Sequence, residues 1–113
     1  MKKIYLFCSA GMSTSMLASN MQTVANAHQL PIEVLAYPIG KMEEIIQQQH
    51  PDCILLGPQV KFMYEDTEKK FGGESGLPLG VINVSDYGMM DGEKVLKSAI
   101  RLMKQKKLQM KER

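Results

Sequence analysis

The sequence predicts an α/β fold, an open four-stranded parallel sheet with helices on both faces. Short, nearly continuous apolar runs alternate along the chain with longer segments in which apolar residues recur at helical spacing. Strands that are covered on both faces of a parallel sheet have such continuous runs. Alternation of strands and helices favours right-handed crossovers between parallel strands. We expect the strand order 2-1-3-4, which places the first strand inside the sheet.

The four strands are predicted from apolar runs and from the residues that interrupt them. These runs lie at residues 4–7, 32–37, 53–56 and 79–84. Gly11 breaks the pattern after the first run, Pro38 marks the turn after the second, and Pro58 follows the third. Residues 72–78, before the fourth run, and residues 85–90, after it, are predicted to be loops or connectors.

The four helices are predicted from apolar stripes. The stripe residues are Leu17, Met21, Val24 and His28 between about Ser13 and Gln29; Met42, Ile45, Ile46 and Gln49; Val60, Met63, Tyr64, Thr67 and Phe71; and Val95, Leu96, Ala99, Ile100 and Met103. Pro31 and Pro51 end the first two helices because proline lacks a backbone N–H. Asp91 is the expected N-cap of the last helix, since its carboxylate can accept from free first-turn amides.

The length, net charge, apolar runs and cysteine spacing of the 113-residue chain limit the class of protein that it can be. We expect one domain, residues 1–113, with a basic tail over about 104–113. The formal net charge of +2 is too small to indicate a nucleic-acid partner. No apolar run approaches the ~20 residues of a membrane helix, and the apolar run before Cys8 is too short for a signal peptide. Cys8 and Cys53 lack CxxC spacing, which argues for a reduced, cytoplasmic protein without a zinc site.

The expected site lies at the carboxyl ends of the strands, where ligands of parallel α/β sheets bind. Three loops should meet there: the loop after Phe7, the loop at 57–59 and the loop at 85–87. Cys8 opens the first loop. Gln59 and Tyr87 lie in the other two. They are candidates for the rim of the site or for contact with a partner, although helix-start polarity and a surface turn explain them equally well.

The segment that follows Cys8 has the composition of an anion-binding loop. Gly11 allows the backbone to turn so that successive N–H groups point inward, and the following helix adds its free first-turn amides and its positive dipole end. The expected phosphate-binding residues are Ser9, Ala10, Gly11, Met12, Ser13, Thr14 and Ser15. The positive potential of these N–H groups and of the helix N-terminus favours the thiolate of Cys8. This cysteine is therefore the expected nucleophile, and phosphocysteine is the expected adduct.

The arginine of cysteine phosphatases is missing from this loop. Those enzymes have the pattern C-x5-R, in which the arginine binds the transferring phosphoryl group. Thr14 stands at that position, and the first arginine of the chain is Arg101. Without the arginine a large electrostatic contribution to hydrolysis is lost, so the loop suits the relay of a phosphoryl group between partners. The nucleotide-binding pattern GxxxxGK[ST] is also absent from the sequence.

Three stretches of the chain resemble the enzyme IIB component of the lactose/cellobiose (chitobiose) class of the bacterial phosphoenolpyruvate-dependent sugar phosphotransferase system. The stretches are Ile4 to Ser15, Leu55 to Gln59, and Tyr87-Gly88 with Asp91-Gly92 and Val95-Leu96. The resemblance covers essentially the whole chain. It implies a fold similar to low-molecular-weight tyrosine phosphatases and flavodoxin. Residues 72–78 and the basic tail match no motif of the family.

The resemblance implies a phosphoryl carrier. Cys8 would accept a phosphoryl group from a phosphohistidine of enzyme IIA. It would pass this group to a sugar, expected to be a β-linked disaccharide, that the membrane enzyme IIC binds during uptake. Residues 9–15 match the cradle, and no metal, nucleotide or other cofactor is implied. The protein is expected in the cytoplasm, held at the inner membrane only through enzyme IIC and without stable membrane insertion of its own.

Two other functions are compatible with the residues. One is a thiol enzyme similar to low-molecular-weight phosphatases or arsenate reductases, against which Thr14 argues. The other is a regulatory domain whose phosphocysteine changes its binding to another protein. Structural roles are expected for the remaining candidates: Cys53 in the core, His28 in packing or as a helix-end charge, and His50 at a solvated helix end.

Overall fold

The computed structural model describes residues 1–9, 11–72 and 76–111, with the backbone alone for Gly11, Met12 and 107–111. Its elements are β1 Lys2–Cys8, α1 Gly11–Ala27, β2 Ile32–Pro38, α2 Met42–Gln49, β3 Cys53–Leu56, α3 Tyr64–Phe71, β4 Leu79–Val81, α4 Val84–Gly88 and α5 Gly92–Lys111. Two 3₁₀ segments, Ile39–Lys41 and Pro58–Met63, lead into α2 and α3. Ala10 of the expected cradle, 73–75 of the expected loop and 112–113 of the tail lie outside the described residues.

The sheet has the predicted order β2-β1-β3-β4. Strand β1 lies parallel to both of its neighbours, with Ile4 opposite Val34 of β2 and opposite Cys53 of β3. The short strand β4 pairs in parallel with β3. Strand β1 therefore lies inside the sheet, and its carboxyl end, Cys8, is flanked by the ends of neighbouring strands.

The two faces of the sheet carry separate apolar clusters, as expected for helices on both sides. Ile4 and Leu6 of β1 belong to the cluster formed with α1 and α5. Tyr5 and Phe7, which alternate with them, belong to the cluster formed with the α2 and α3 side, where Met42 is buried. The side chains of these four β1 residues are fully buried. Close packing on both faces therefore fixes the position of the strand that ends at Cys8.

Helices α1 and α5 approach each other closely at the start of α5. A Cβ atom on Gly92 would lie only 2.6 Å from the backbone carbon of Asn20, so only glycine fits at this crossing. The side-chain amide of Asn20 also donates to the Met90 carbonyl at 3.0 Å. Asp91 caps α5 as predicted, because its Oδ1 accepts from the backbone N–H of Lys94 at 3.1 Å.

The first helix differs from its prediction at both ends. It begins at Gly11 rather than at about Ser13, and it ends at Ala27. Gln29 then adopts a left-handed φ of 56°, which turns the chain toward β2. His28 therefore lies beyond the helix and is exposed, so its place in the apolar stripe was wrong. Ala25 is fully buried on that side of the helix instead.

The predicted connector after the fourth strand contains a helix. Strand β4 ends at Val81 rather than at position 84, and α4 begins at Val84. Asn83 causes this, because its Oδ1 accepts from the N–H groups of Ser85 and Asp86 at 2.9 and 3.1 Å and caps the helix.

None of the described helices is long and apolar enough to cross a membrane.

Candidate functional site

The three expected loops meet at the carboxyl end of the sheet. Cys8, the last residue of β1, places its Sγ 3.4 Å from Oε1 of Gln59 in the segment after β3. Thr14, in the first turns of α1, places its hydroxyl oxygen 3.2 Å from the phenol oxygen of Tyr87 in α4. The loops after β3 and β4 therefore both contact the segment that begins at Cys8. Gln59 and Tyr87 lie where the sequence placed them.

The Cys8 thiol is held in a close-packed setting. The residue is only 2% exposed. The backbone N–H of Gly57 donates to the Phe7 carbonyl at 2.8 Å, which brings the start of the second loop against the end of β1. A Cβ atom on Gly57 would lie 3.1 Å from the Cys8 sulfur and 3.0 Å from Oε1 of Gln59. Glycine at position 57 thus makes room for both side chains.

Helix α1 begins close to Cys8 in the chain. Its first residue, Gly11, follows Cys8 by only three positions, so the free amides of the first turn begin almost at once. The first turn contains no acidic residue that would offset the positive end of the helix dipole. Of the expected hydroxyl donors, Ser9, Ser13 and Ser15 are exposed. The arrangement can bind an anion beside the cysteine sulfur.

Thr14 has a different setting from the three serines. It is 1% exposed, and its oxygen shares a hydrogen bond with Tyr87 in which either hydroxyl can donate. From the sequence, its hydroxyl is expected to donate a hydrogen bond to a bound phosphate. The structure joins it to α4, so Thr14 also ties the first turns of α1 to the third loop. When Tyr87 donates, the hydroxyl hydrogen of Thr14 stays available to another acceptor.

Cys53 lies in the core, as expected. It is fully buried at the start of β3, and its sulfur lies 3.9 Å from the Ala99 carbonyl of α5. Burial, together with the neighbouring carboxylate of Asp52, raises the pKa of the Cys53 thiol to about 12. This thiol therefore stays protonated at neutral pH and is not a nucleophile.

The two histidines lie on the surface of the molecule. His50 adopts a left-handed φ of 50° at the end of α2, where its N–H donates to the Ile46 carbonyl. Within the described ranges, no three His, Cys, Asp or Glu side chains are grouped so that they could hold a metal ion.

Sequence reasoning overlooked the role of Gly57. The sequence places Gly57 at the end of a strand and in the second of the three site loops, and the structure shows that the glycine also admits the contact between Cys8 and Gln59. A glycine between a buried strand and a polar residue, at the same sheet edge as the candidate nucleophile, is the signal that could have indicated this. Asn83, the cap of α4, was also missed, because it lies inside the run 79–84 that predicted a longer strand.

Comparisons with known proteins agree with this geometry. The family model described as "PTS system, Lactose/Cellobiose specific IIB subunit" matches residues 3–98. The galactose-specific EIIB component of Lactococcus lactis is 43% identical over 105 residues, which cover 90% of this chain and 96% of that one. The oligo-beta-mannoside-specific EIIB component of Bacillus subtilis is 36% identical over 103 residues, covering 91% and 97%.

Solved structures show the same relationship. The solution structure of the cellobiose-specific phosphotransferase IIB component of Borrelia burgdorferi has a TM-score of 0.74 and 35% identity, covering 93% of this chain and 94% of that one. The lactose-specific IIB domain of Streptococcus pneumoniae, at 18% identity and a TM-score of 0.74 over 88% and 95% of the chains, shares the fold. The chain therefore belongs to the lactose/cellobiose-specific IIB family of the sugar phosphotransferase system.

Proposed function

We propose that this protein carries a phosphoryl group on Cys8, from a phosphohistidine of enzyme IIA to a sugar bound by the membrane enzyme IIC. The observation that carries the proposal is the position of Cys8. It ends the central strand β1, and the N-terminus of α1 begins three residues later without an acidic residue in its first turn. Membership of the IIB family supports the same conclusion.

The first transfer is a displacement at phosphorus. The Cys8 sulfur attacks the phosphorus of the phosphohistidine and forms an S–P bond, while the P–N bond breaks and its electron pair returns to the imidazole. The proton lost by the thiol balances the one gained by the imidazole nitrogen. The free amides at the start of α1 stabilise the charge on the phosphoryl oxygens during the displacement.

In the second transfer the sulfur, which was the nucleophile in the first, is the leaving group. A sugar hydroxyl held by enzyme IIC attacks the phosphorus, a P–O bond forms, and the S–P bond breaks. The electron pair stays on sulfur, which regains a proton as the hydroxyl loses one. We propose a β-linked disaccharide as the sugar. The relatives are named for galactose, cellobiose and oligo-beta-mannosides at 36–43% identity, so sequence similarity does not single out one sugar.

A carrier is favoured over a phosphatase by the setting of Thr14. It occupies the position of the phosphatase arginine, and its hydroxyl is joined to Tyr87 rather than to a cation. Hydrolysis at this site therefore lacks the arginine that stabilises the transferring phosphoryl group. The adduct should persist long enough to meet enzyme IIC, and we propose that this meeting takes place on the cytoplasmic side of the membrane.

The proposal is tested by intact mass after incubation with phosphoenolpyruvate, the upstream phosphotransfer proteins and enzyme IIA. The natural protein and Cys53→Ala should each gain the mass of one phosphoryl group, and Cys8→Ser should gain none. No gain in the natural protein with several IIA partners would refute the proposal. Rapid hydrolysis of an aryl phosphate by the isolated chain would instead favour a thiol enzyme.

A further inference from the structure

Gln59 contacts the Cys8 sulfur in a way that specifies a chemical state of the thiol. Its Oε1 lies 3.4 Å from Sγ, in the orientation of a hydrogen bond donated by the thiol. A carbonyl oxygen can only accept, so this contact stabilises the protonated thiol. The pair as it stands therefore matches a protonated Cys8.

The same contact would oppose the reactive state. When the thiol loses its proton, the lone pairs of Oε1 would face a negatively charged sulfur. Phosphorylation brings further negative oxygens to the same place. The Gln59 side chain must therefore change its hydrogen bond if it is to remain beside Cys8 during transfer.

An amide side chain can make that change without moving the backbone. Nε2 is a donor on the same planar group as Oε1, and the terminal torsion of glutamine is broad and roughly two-fold. Rotation by about half a turn exchanges the acceptor for a donor. Gln59 is exposed to solvent, and Gly57 leaves the space beside Oε1 that a Cβ atom would fill. The structure thus gives the amide room to rotate.

On the basis of the proposed function, we propose that Gln59 changes its hydrogen bond according to whether Cys8 is a thiol, a thiolate or a phosphocysteine. Its Oε1 accepts from the thiol, and after rotation its Nε2 donates to the thiolate and then to a phosphoryl oxygen. An amide suits a carrier because it stabilises the charged forms without the fixed positive charge that would hold the phosphate. Gln59 thus contacts the reacting sulfur and assists both acceptance and release.

Two substitutions separate donation from simple packing. Gln59→Met keeps the length of the side chain and removes donor and acceptor. Gln59→Glu keeps an acceptor, removes the donor and adds a negative charge beside the sulfur. Gln47→Glu on the exposed face of α2 is the matched control for the change in net charge. Because Gln59 is exposed, none of these changes removes a buried side chain, and thermal unfolding verifies that each variant is folded.

Two rates are measured at one neutral pH: alkylation of Cys8 by iodoacetamide, and phosphorylation by phosphorylated enzyme IIA. We expect both rates to fall about tenfold in Gln59→Met, the size of one hydrogen bond to a charged group. We expect at least about another tenfold loss in Gln59→Glu. Gln47→Glu should match the natural protein. The side-chain ¹⁵N–¹H signals that Gln59→Met removes should also shift when the natural protein is phosphorylated.

The two rates distinguish failure of this inference from failure of the proposed function. Alkylation requires no partner protein, so equal alkylation rates in the natural protein, Gln59→Met and Gln59→Glu would overturn the role of Gln59 whatever the phosphorylation result. Alkylation rates in the expected order, with no phosphorylation of the natural protein, would overturn the carrier function while leaving the hydrogen bond to the thiolate established.

Discussion

The two cysteines occupy opposite ends of neighbouring strands and show how the candidate site differs from the core. Cys8 ends β1, whereas Cys53 begins β3 opposite Ile4. Both are shielded from solvent, at 2% and 0% exposure, so burial alone does not distinguish them. Cys53 is packed among apolar side chains and helix α5. Cys8 has Gln59, Gly57 and the start of α1 around it. The polarity and the free amides at the strand's carboxyl end, rather than accessibility, distinguish the proposed nucleophile Cys8 from the core residue Cys53.

The largest expected difference is in alkylation. Raising the pKa of Cys53 from 9.0 to about 12 lowers its thiolate fraction at pH 8 about a thousandfold. Iodoacetamide should therefore modify the folded protein once, at Cys8, and should modify Cys53 only after unfolding in denaturant. Peptide mapping after a time course locates the modification. Comparable labelling of both cysteines in the folded protein would contradict the expected difference in reactivity between Cys8 and Cys53.

A hydroxyl at the core cysteine should affect stability and leave the chemistry intact. Cys53→Ser buries a polar group in an apolar cluster and should cost about 2 kcal/mol of unfolding free energy. Its phosphorylation rate should equal that of the natural protein at temperatures where the variant is folded. Urea unfolding and the enzyme IIA assay provide the two measurements. A stable Cys53→Ser that no longer accepts the phosphoryl group would contradict a purely structural role.

A methyl group at Gly57 should have the opposite effect. Gly57→Ala places a Cβ atom 3.1 Å from the Cys8 sulfur and 3.0 Å from Oε1 of Gln59, so both must shift. We expect phosphorylation to slow about tenfold, since small displacements of a nucleophile are costly. The backbone at φ −62° and ψ 153° suits alanine, so the backbone adds no strain and the loss of stability should be limited to the close contacts at position 57.

A second glycine provides the control for this change. A Cβ atom on Gly40 meets no atom within 4 Å, so Gly40→Ala should leave the phosphorylation rate unchanged. If Gly57→Ala and Gly40→Ala transfer phosphate equally fast, close packing at the Cys8 sulfur is irrelevant to transfer.

The smallest expected effect is at the third loop. Tyr87→Phe removes the hydrogen-bond partner of the buried Thr14 hydroxyl and should cost about 1 kcal/mol of stability. Phosphorylation should slow by about threefold, because the first turns of α1 lose one tie to α4. Tyr64→Phe, which removes a phenol hydroxyl in α3, is the control. Thermal melts and initial rates measure both effects, and an unchanged melting temperature in Tyr87→Phe would show that the contact is not needed.

The central parts of the fold were predictable from the sequence because buried parallel strands are continuous apolar runs. Ile4 to Phe7 and Cys53 to Leu56 are such runs, and their boundaries fix where the site lies. The fourth strand was less predictable. Ile82 and Val84 extend its apolar run, but the local hydrogen bonds of Asn83 start a helix there instead.

The contacts within the site could not be predicted from sequence. Residue types identified Cys8 as the candidate nucleophile and placed Gln59 and Tyr87 at the same edge of the sheet. They did not indicate that Gln59 meets the sulfur or that Tyr87 meets Thr14, since both pairs are more than 50 residues apart and depend on tertiary packing. Propensity and periodicity report only local structure, so such pairings require coordinates.

The most direct test of the account is to locate the phosphoryl group in the fully phosphorylated natural protein. Phosphorus NMR of the intact protein, followed by peptide mapping under conditions that preserve S–P bonds, identifies both the bond and the residue. We predict one thiol-linked phosphoryl group, on Cys8, and an unmodified Cys53. A phosphoryl group on a histidine, on a serine of residues 9–15 or on Cys53 would contradict the account.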